Sequence, residues 1–346
     1  MSNRIDTDPE SVALLAKQVA RHCAAYRDPL TSRALMQLAN TVVPYLALVA
    51  AMLWSAAHSY WLIAFALALP AGGLLVRLFI IQHDCGHGSF LPSRAANDLL
   101  GRALSLLTVT PYDSWKRAHA LHHASTGDLS RRGTGDIDTL TVREYLALSR
   151  WGRLRYRLYR NPLVLIVLGA PFNFLVLQRL PFAVGLPWRT AWRDVTALNV
   201  SLVVYFGALA FAAGGIGPVL GALLPTICVA AWIGGWLFYV QHQYEDTVWE
   251  SGQDWDFHRA ALGGSSYYVL PRVLQWFTGN VGLHHVHHLN SRIPNYRLQE
   301  CLDGHDLLGQ VGRLTLVESL RCVRLALWDE EARKLVGFCR LRTLTT

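Results

Sequence analysis

The amino-acid sequence predicts an all-α integral membrane protein in which four transmembrane helices form two hairpins. A cytoplasmic helical cap is predicted to carry a histidine-rich di-metal site. Hydrophobic residues make up 52% of the 346 residues and charged residues only 16%, against about 25% charged in an average soluble protein. Two long stretches lack charged residues altogether, and histidines cluster directly beyond the ends of these stretches.

The two uncharged stretches predict the spans. No charged residue occurs between Arg33 and Arg77, and none occurs between Asp194 and Glu245. A bilayer core of about 30 Å needs roughly 20 apolar helical residues, so each stretch is long enough for two spans and a tight turn. The predicted spans are Leu35–Trp54, Tyr60–Ile81, Val195–Ala213 and Pro218–Val240.

The distribution of basic residues predicts the sidedness. The connectors Ser55–Ser59 and Gly214–Gly217 contain no Lys or Arg. By the positive-inside rule the remaining segments, including both termini and the histidine clusters, face the cytoplasm. The segment Pro162–Gln178 is also apolar, but a fifth span there would separate the histidine clusters across the membrane. We therefore predict an interfacial or re-entrant helix pair that breaks near Pro171.

The remaining segments give simpler expectations. Asp8-Pro9-Glu10 is typical of a helix start, and that helix is predicted to run to about Arg27. The segment Leu314–Leu335 has apolar residues at helical spacing and predicts an amphipathic cytoplasmic helix. The six cysteines include no C-x-x-C, and we predict no disulfide framework. The net charge of +8 comes without a nucleic-acid-binding module, so we expect no nucleic-acid partner.

Nine of the fourteen histidines have the spacing of metal ligands. Residues i, i+3 and i+4 share one face of an α-helix, so each cluster can direct its imidazoles at one point. The nine are His83 and His87; His119, His122 and His123; His242; and His284, His287 and His288. The first pair and His242 lie just past predicted spans, and we expect all four elements to meet at the inner membrane face.

The number and type of the candidate ligands restrict which metal the site can bind. Imidazole suits Zn, Cu, Fe or Ni, but nine imidazoles exceed the roughly four ligands of a zinc site. The zinc-peptidase motif H-E-x-x-H is absent, so a two-metal oxidising site fits best. Of the other histidines, His285 is expected to support the site from behind and His58 to lie on the opposite membrane face. The rest are expected to be ordinary surface or packing residues: His22, His258 and His305.

These residues resemble the membrane-bound fatty acid desaturase family, most closely the bacterial acyl-lipid desaturases of the Δ12 or omega-6 type. That family has the boxes H-x(3–4)-H, H-x(2–3)-H-H and [HQ]-x(2–3)-H-H in this order, and three residues separate His83 from His87 as in its acyl-lipid branch. The stretches His83–Phe90, Gly282–Leu289 and Arg292–Tyr296 are also similar. The resemblance predicts an N-terminal segment at 1–34, a desaturase domain at 35–338 and a tail at 339–346.

The resemblance implies that the nine histidines bind two iron ions and that O2 is the co-substrate. The substrate would be an acyl chain, esterified in a membrane lipid, that gains a double bond. The chain has neither a dinucleotide fingerprint nor a fused haem domain, so an external electron donor is implied: ferredoxin, with cytochrome b5 as the alternative. The location implied is the bacterial inner membrane. Some relatives have a water-bridged Asn as a tenth ligand, but Phe238 stands at that position here.

The sequence also predicts residues that support the metal site, line an acyl tunnel or bind an anionic partner. The carboxylates Asp84, Asp128, Asp136 and Glu245 are candidates to orient ligand imidazoles. An acyl tunnel would be lined by Trp115, Trp232, Trp236 and Tyr239. The basic segment Arg150–Arg160 suits either an acidic electron donor or anionic lipid headgroups, and the sequence leaves both open.

Two alternatives remain at this point. A di-iron hydroxylase or a carotenoid ketolase or hydroxylase would keep the same site and return oxygen to the carbon. A non-redox metal-binding or transport protein of the membrane is the alternative of another class; such proteins usually place polar ligands within the spans, and here the histidines lie at one face.

Overall fold

The structure is a computed structural model, and it describes residues 18–133, 135–182 and 186–341. Most of the described chain is helical. In chain order the helices are α1 (Thr31–Ala57), α2 (Trp61–His87), α3 (Arg94–Thr108), α4 (Tyr112–Ser125), α5 (Val142–Ala147), α6 (Arg150–Tyr159), α7 (Gly169–Leu175), α8 (Trp188–Ala212), α9 (Ile216–His242), α10 (Phe257–Gly263), α11 (Arg272–Phe277), α12 (His284–Leu289), α13 (Leu298–Asp303) and α14 (Leu316–Ser319). A π-helical turn (Leu163–Leu168) precedes α7.

Four of these helices are long and apolar enough to cross a membrane: α1, α2, α8 and α9. They contain the predicted spans to within one residue at each end and extend beyond them. The extensions have a functional reason, because α2 continues through His83 and His87 and α9 ends on His242. A helix that carries ligands out of the membrane holds them on a rigid support.

Helix α2 lies at the centre of the bundle. It packs against α1, α3 and α9, and 61% of its most apolar stretch is buried, compared with 17% for α8. Gly72 permits this packing, because a Cβ there would lie 2.5 Å from Val229 on α9. The helix that bears the first two histidines is therefore the most enclosed one.

The apolar segment after α6 is bent, but at a different position from the one we predict. Helix α6 and the helical run Leu163–Arg179 meet at an angle of 60°, so the break lies at residues 160–162. Pro171, where we predicted the break, lies within the first turn of α7, a position that proline tolerates.

The C-terminal prediction was wrong. Leu314–Leu335 is not one amphipathic helix: it contains β3 (Arg313–Thr315), the four-residue α14 and β4 (Leu327–Asp329). Strand β4 pairs in parallel with β1 (Leu140–Thr141) and antiparallel with β5 (Lys334–Val336). Pairing with distant segments buries Leu327 and Trp328, and it overrides the helical spacing of the local sequence.

The other strands form small supports around the cap. Strand β2 (Tyr267–Val269) pairs in parallel with β3. Tyr145 and Tyr156 pack with the β4–β5 pair in a separate small core. Residues 18–24 are helical, in line with the predicted N-terminal helix, whose beginning lies outside the described residues.

Candidate metal centre

The structure brings all nine predicted histidines together in two adjacent groups. Within each group the candidate ligand nitrogens lie within 4.8 Å of one another. The five-histidine group is His83, His87, His119, His123 and His287, and the four-histidine group is His122, His242, His284 and His288. The groups adjoin, since the rings of His123 and His288 stack with centroids 4.1 Å apart.

Four helices supply the nine rings. Helix α2 contributes only to the five-histidine group and α9 only to the four-histidine group, whereas α4 and α12 contribute to both. On α4 the i, i+4 pair His119 and His123 joins one group, and His122 joins the other. Helix α2 ends immediately after His87 because Gly88 adopts a left-handed conformation, φ 68°, which glycine adopts without steric cost.

The ring nitrogens point at one another. His123 Nε2 lies 3.1 Å from His119 Nε2 and 3.0 Å from His287 Nε2. In the other group His284 Nε2 lies 3.0 Å from the Nε2 atoms of both His242 and His288. Nitrogens that converge from separate elements are what a metal site requires.

Two buried Nε2 atoms of the nine histidines are without a hydrogen-bond partner among the described residues: His87 Nε2 and His122 Nε2. A buried polar atom without a partner costs about 1–3 kcal/mol. A metal ion would satisfy both atoms, so the donor set fits a cation better than it fits a purely structural cluster.

Burial also fixes the protonation state. Desolvation first, and then the neighbouring rings, lower the imidazole pKa well below its usual range in five residues outside the spans: His119, His123, His284, His287 and His288. These rings are therefore neutral near pH 7, which is the form that binds a metal.

In three of the nine histidines, the Nδ1 atom contacts an oxygen atom of the protein. Asp136 accepts a hydrogen bond from His122 Nδ1, and the Gly264 carbonyl accepts one from His242 Nδ1 at 2.9 Å. Asp84 Oδ1 lies 3.0 Å from His83 Nδ1. Each contact leaves Nε2 facing its group, which is how supporting residues orient metal-binding histidines.

Two predicted supporting carboxylates have other partners. Asp128 accepts hydrogen bonds from Ser130 and from Arg131, and Glu245 bonds Lys334 at 2.8 Å. Neither bonds a histidine within the described part of the chain, so the structure does not place these two where they could orient ligand rings. Both carboxylates are close to candidate ligands in the sequence but do not contact them.

A polar chain behind the five-histidine group was missed from the sequence. Asp84 Oδ2 accepts hydrogen bonds from the backbone N–H and the side-chain amide of Asn295, at 2.6 and 2.8 Å. Asn295 Oδ1 in turn accepts one from Gln37 Nε2 of α1 at 2.8 Å. Asn295 lies in the stretch Arg292–Tyr296 that carries the family resemblance, which was the one available signal.

The other histidines lie outside both groups. His285 is fully buried and contacts the Leu308 carbonyl at 2.9 Å, and burial lowers its pKa to about 4. His58 contacts the Trp54 carbonyl at the far end of α1. His22 contacts the Cys301 carbonyl and the ring of His305.

The predicted tunnel residues lie in different places. Trp115 stacks on His119 with centroids 4.6 Å apart, whereas the indole N–H of Trp232 donates to the Val167 carbonyl and that of Trp236 donates to Tyr268. Phe238 contacts the rings of both His122 and His242. It also lines a cavity of about 10 Å³ beside the four-histidine group, with Asp136, Ile137 and Gln243 among the other lining residues.

The family match and the relatives of this chain indicate the same protein family. The sequence matches the fatty acid desaturase family over residues 59–308. A fatty acid desaturase of Bacillus subtilis is 40% identical over 329 residues, which cover 95% of this chain and 92% of that protein.

Two cyanobacterial proteins are more distant relatives. An sn-1 oleoyl-lipid 12-desaturase of Anabaena variabilis is 29% identical over 71% of this chain and 69% of its own length. An sn-1 acyl-lipid omega-3 desaturase (ferredoxin) of Synechocystis is 26% identical over 73% of this chain and 68% of its own length. With the family match and the Bacillus relative, the chain belongs to the fatty acid desaturase family and is an oxidoreductase.

Proposed function

We propose that this chain is an O2-dependent di-iron desaturase that introduces a double bond into a fatty acyl chain esterified in a membrane lipid. The observation that carries the proposal is the division of nine imidazoles into two adjacent groups of five and four. Each group offers enough imidazole nitrogens for one iron ion, and an oxygen-ligand metal such as Mg²⁺ would not select an all-imidazole site.

Iron supplies the oxidising chemistry with O2, namely removal of two hydrogen atoms from neighbouring carbons. The chain's own residues position and shield that chemistry. Asp84, Asp136 and the Gly264 carbonyl hold ring orientation. All four rings of the four-histidine group are buried, so bulk water is kept away from that side.

The substrate class rests on the membrane helices and on the relatives. Two relatives act on lipid-bound acyl chains by name, and four helices of this chain are apolar enough to cross a bilayer. We propose two hairpins with both termini and the metal centre at the cytoplasmic side of a bacterial inner membrane. The desaturase domain would span residues 35–338, and Leu163–Arg179 would be re-entrant.

The electron donor is proposed to be a separate ferredoxin, with cytochrome b5 as the alternative. The Synechocystis relative carries ferredoxin in its name. A non-redox metal-binding or transport role is not retained, because the chain belongs to a family of oxidoreductases.

Fatty-acid gas chromatography of an expressing host tests the proposal. We expect a new unsaturated acyl chain with the wild-type chain and with His58→Ala, and none with His123→Ala. Hydroxy-acyl products or oxidised carotenoids would support the hydroxylase or ketolase alternative instead. The purified wild-type protein should contain about two iron ions per chain, since two all-imidazole groups are available.

A further inference from the structure

Charge is distributed very unevenly in the middle of the chain. Between Glu144 and Asp194 the sequence contains eight arginines and no Asp or Glu: Arg150, Arg153, Arg155, Arg157, Arg160, Arg179, Arg189 and Arg193. This segment includes α6 and the apolar run that follows it. Such a density of uncompensated positive charge next to membrane helices favours an anionic partner.

Helix α6 presents an apolar stripe to the outside. Trp151, Leu154 and Leu158 have exposed fractions of 76%, 44% and 53%, and their spacing of i, i+3 and i+7 places them on one face. Tyr156 and Arg160 on the other side are buried. A helix with an apolar outer face flanked by arginines is typical of one lying in the membrane interface.

The protein body fixes how this helix is oriented. Arg160 at its C-terminal end donates hydrogen bonds to Gln243 Oε1 at 2.7 Å and to the Leu325 carbonyl at 2.9 Å. The hydroxyl of Tyr156 donates to the Ala326 carbonyl at 2.6 Å. The outward face of α6 is therefore set by tertiary contacts and is not free to rotate.

Two arginines one turn apart, Arg153 and Arg157, flank an open pocket beside the apolar stripe. Arg153 donates to the Leu148 carbonyl from Nε at 3.1 Å and to the Leu146 carbonyl from Nη2, and Arg157 Nε donates to the Tyr145 hydroxyl at 2.6 Å. The Arg157 guanidinium also lies 4.8 Å from the centroid of the Phe338 ring. These contacts hold both guanidinium groups in place.

The pocket itself has a volume of about 490 Å³, and its remaining lining includes Tyr145, Leu146 and Phe338. The ion pairs among the described residues involve neither Arg153 nor Arg157. Two like charges at i, i+4 destabilise a helix unless an anion lies between them. Guanidinium groups present a planar fork of donors that matches the oxygens of phosphate and carboxylate groups.

We propose that this pocket binds the phosphate of an anionic phospholipid headgroup, whose acyl chains lie along the stripe formed by Trp151, Leu154 and Leu158. The adjoining apolar stripe favours a lipid over a soluble acidic protein, which would leave these side chains in water. The apolar part of the lining also favours a lipid over free phosphate. The site is independent of the metal centre, so it can be tested without iron or turnover.

Short-chain lipid binding to the purified full-length protein in detergent provides the test. The ligands are dioctanoyl phosphatidylglycerol, dioctanoyl phosphatidylcholine and inorganic phosphate, followed by native mass spectrometry or tryptophan fluorescence. We expect saturable binding of phosphatidylglycerol, with the other two ligands at least about tenfold weaker. Arg153→Gln with Arg157→Gln should weaken phosphatidylglycerol binding by about twenty-five-fold, from a roughly five-fold loss per arginine.

A matched control separates a built site from general surface charge. Arg94→Gln with Arg272→Gln removes the same charge from two exposed arginines that lie outside α6, and it should change binding less than about two-fold, as expected for charges away from the site. Equal losses in both double variants would overturn the proposal. So would equal binding of the two lipids, or binding of inorganic phosphate as tight as that of phosphatidylglycerol.

Two further measurements keep the proposal falsifiable. If the double variant does not fold, Arg157→Gln alone leaves the carbonyl contacts of Arg153 in place and provides the same comparison. If the double variant binds lipid normally but accepts electrons from an acidic ferredoxin more slowly, the pocket belongs to a protein partner and the lipid proposal is wrong.

Discussion

The two histidine groups differ in ligand number, in exposure and in what holds them. The five-histidine group includes three partly exposed rings, whereas every ring of the four-histidine group is buried. Asp84 behind the first group is itself held by Asn295 and, through it, by Gln37. Asp136 behind the second group bonds His122, and its Oδ2 is buried without a hydrogen-bond partner among the described residues.

With the proposed di-iron function, this difference predicts that the two metal positions have separate tasks. Five imidazoles leave little room for a further ligand, whereas four imidazoles leave more. The small cavity lined by Phe238 and His242 lies on the four-histidine side. We expect the five-histidine group to retain its metal firmly and the four-histidine group to be the more changeable partner in the reaction.

Removing one ring from each group should produce the largest effects. His122→Ala leaves three nitrogens, so we expect iron to fall from about two to about one per chain. His87→Ala leaves four, a number that still holds a metal, so iron should stay nearer two. Both variants should lose activity more than about a hundred-fold, since supporting contacts alone are worth about 10–100-fold.

Elemental analysis of the purified variants gives the iron count, and lipid gas chromatography gives activity. His285→Ala is a suitable control, because that ring is buried but lies outside both groups. Equal loss of iron in His87→Ala and His122→Ala would contradict the proposed difference between the groups.

Removing the carboxylate charges should have the next largest effects. Both Asp84 oxygens accept hydrogen bonds. In Asp84→Asn only one of the two positions still carries an acceptor oxygen. We therefore expect a loss of iron affinity near the upper end of about 10–100-fold. Asp136→Asn can place its NH2 at the position of the unpartnered Oδ2, so its loss should lie near the lower end.

Iron retention during dialysis against a chelator measures both variants on the same scale. The two Asn variants remove the same charge and serve as controls for each other. A larger loss of iron in Asp136→Asn than in Asp84→Asn would show that the unpartnered oxygen matters more than the network behind Asp84.

The sequence predicted the histidines better than their surroundings. The helical spacings i, i+3 and i+4 are local, so they predicted that α4 and α12 carry the histidines, but each cluster divides between the two groups and does not converge on one point. The contacts between Asp84 and Asn295 join residues 211 positions apart, and no local pattern encodes such a pairing. The same applies to β4, whose partner β1 lies far away in the sequence.

The spans show the same division. Their apolar composition is local and predicted their positions to within three residues at the ends that face away from the candidate ligands. The break after α6 lies at residues 160–162 and not at Pro171, and Arg160 at this break bonds the distant residues Gln243 and Leu325. Expectations that depended on spacing held up better than those that depended on contact.

Breaking the network behind Asp84 should have a moderate effect confined to the five-histidine group. Asn295→Ala removes the side-chain amide and leaves the backbone N–H, so we expect roughly tenfold weaker iron retention, the cost of one hydrogen bond to a charged group. Gln37→Ala acts one contact further away and should cost less than about three-fold, within the range of a neutral hydrogen bond.

Mössbauer spectra of the iron-loaded variants separate this effect from general loosening. The signal assigned to the five-histidine group should broaden in Asn295→Ala, and the other should stay unchanged. Thermal melting provides the control for folding. A change in both signals would mean that Asn295 supports the whole cap and does not specifically position Asp84.

The smallest effect should come from Phe238 on the four-histidine side. Its ring contacts His122 and His242, with centroids 5.4 and 5.7 Å away, and the adjoining cavity of about 10 Å³ is about the least that one water molecule needs. Phe238→Leu keeps the site apolar but removes the ring, so the cavity grows on this side only. We expect a loss of activity below about tenfold, because replacing one buried apolar side chain by another costs about 1 kcal/mol. The Mössbauer signal of the four-histidine group should shift while iron content stays at about two per chain. A shift confined to the five-histidine signal would reverse the proposed assignment of the changeable metal position.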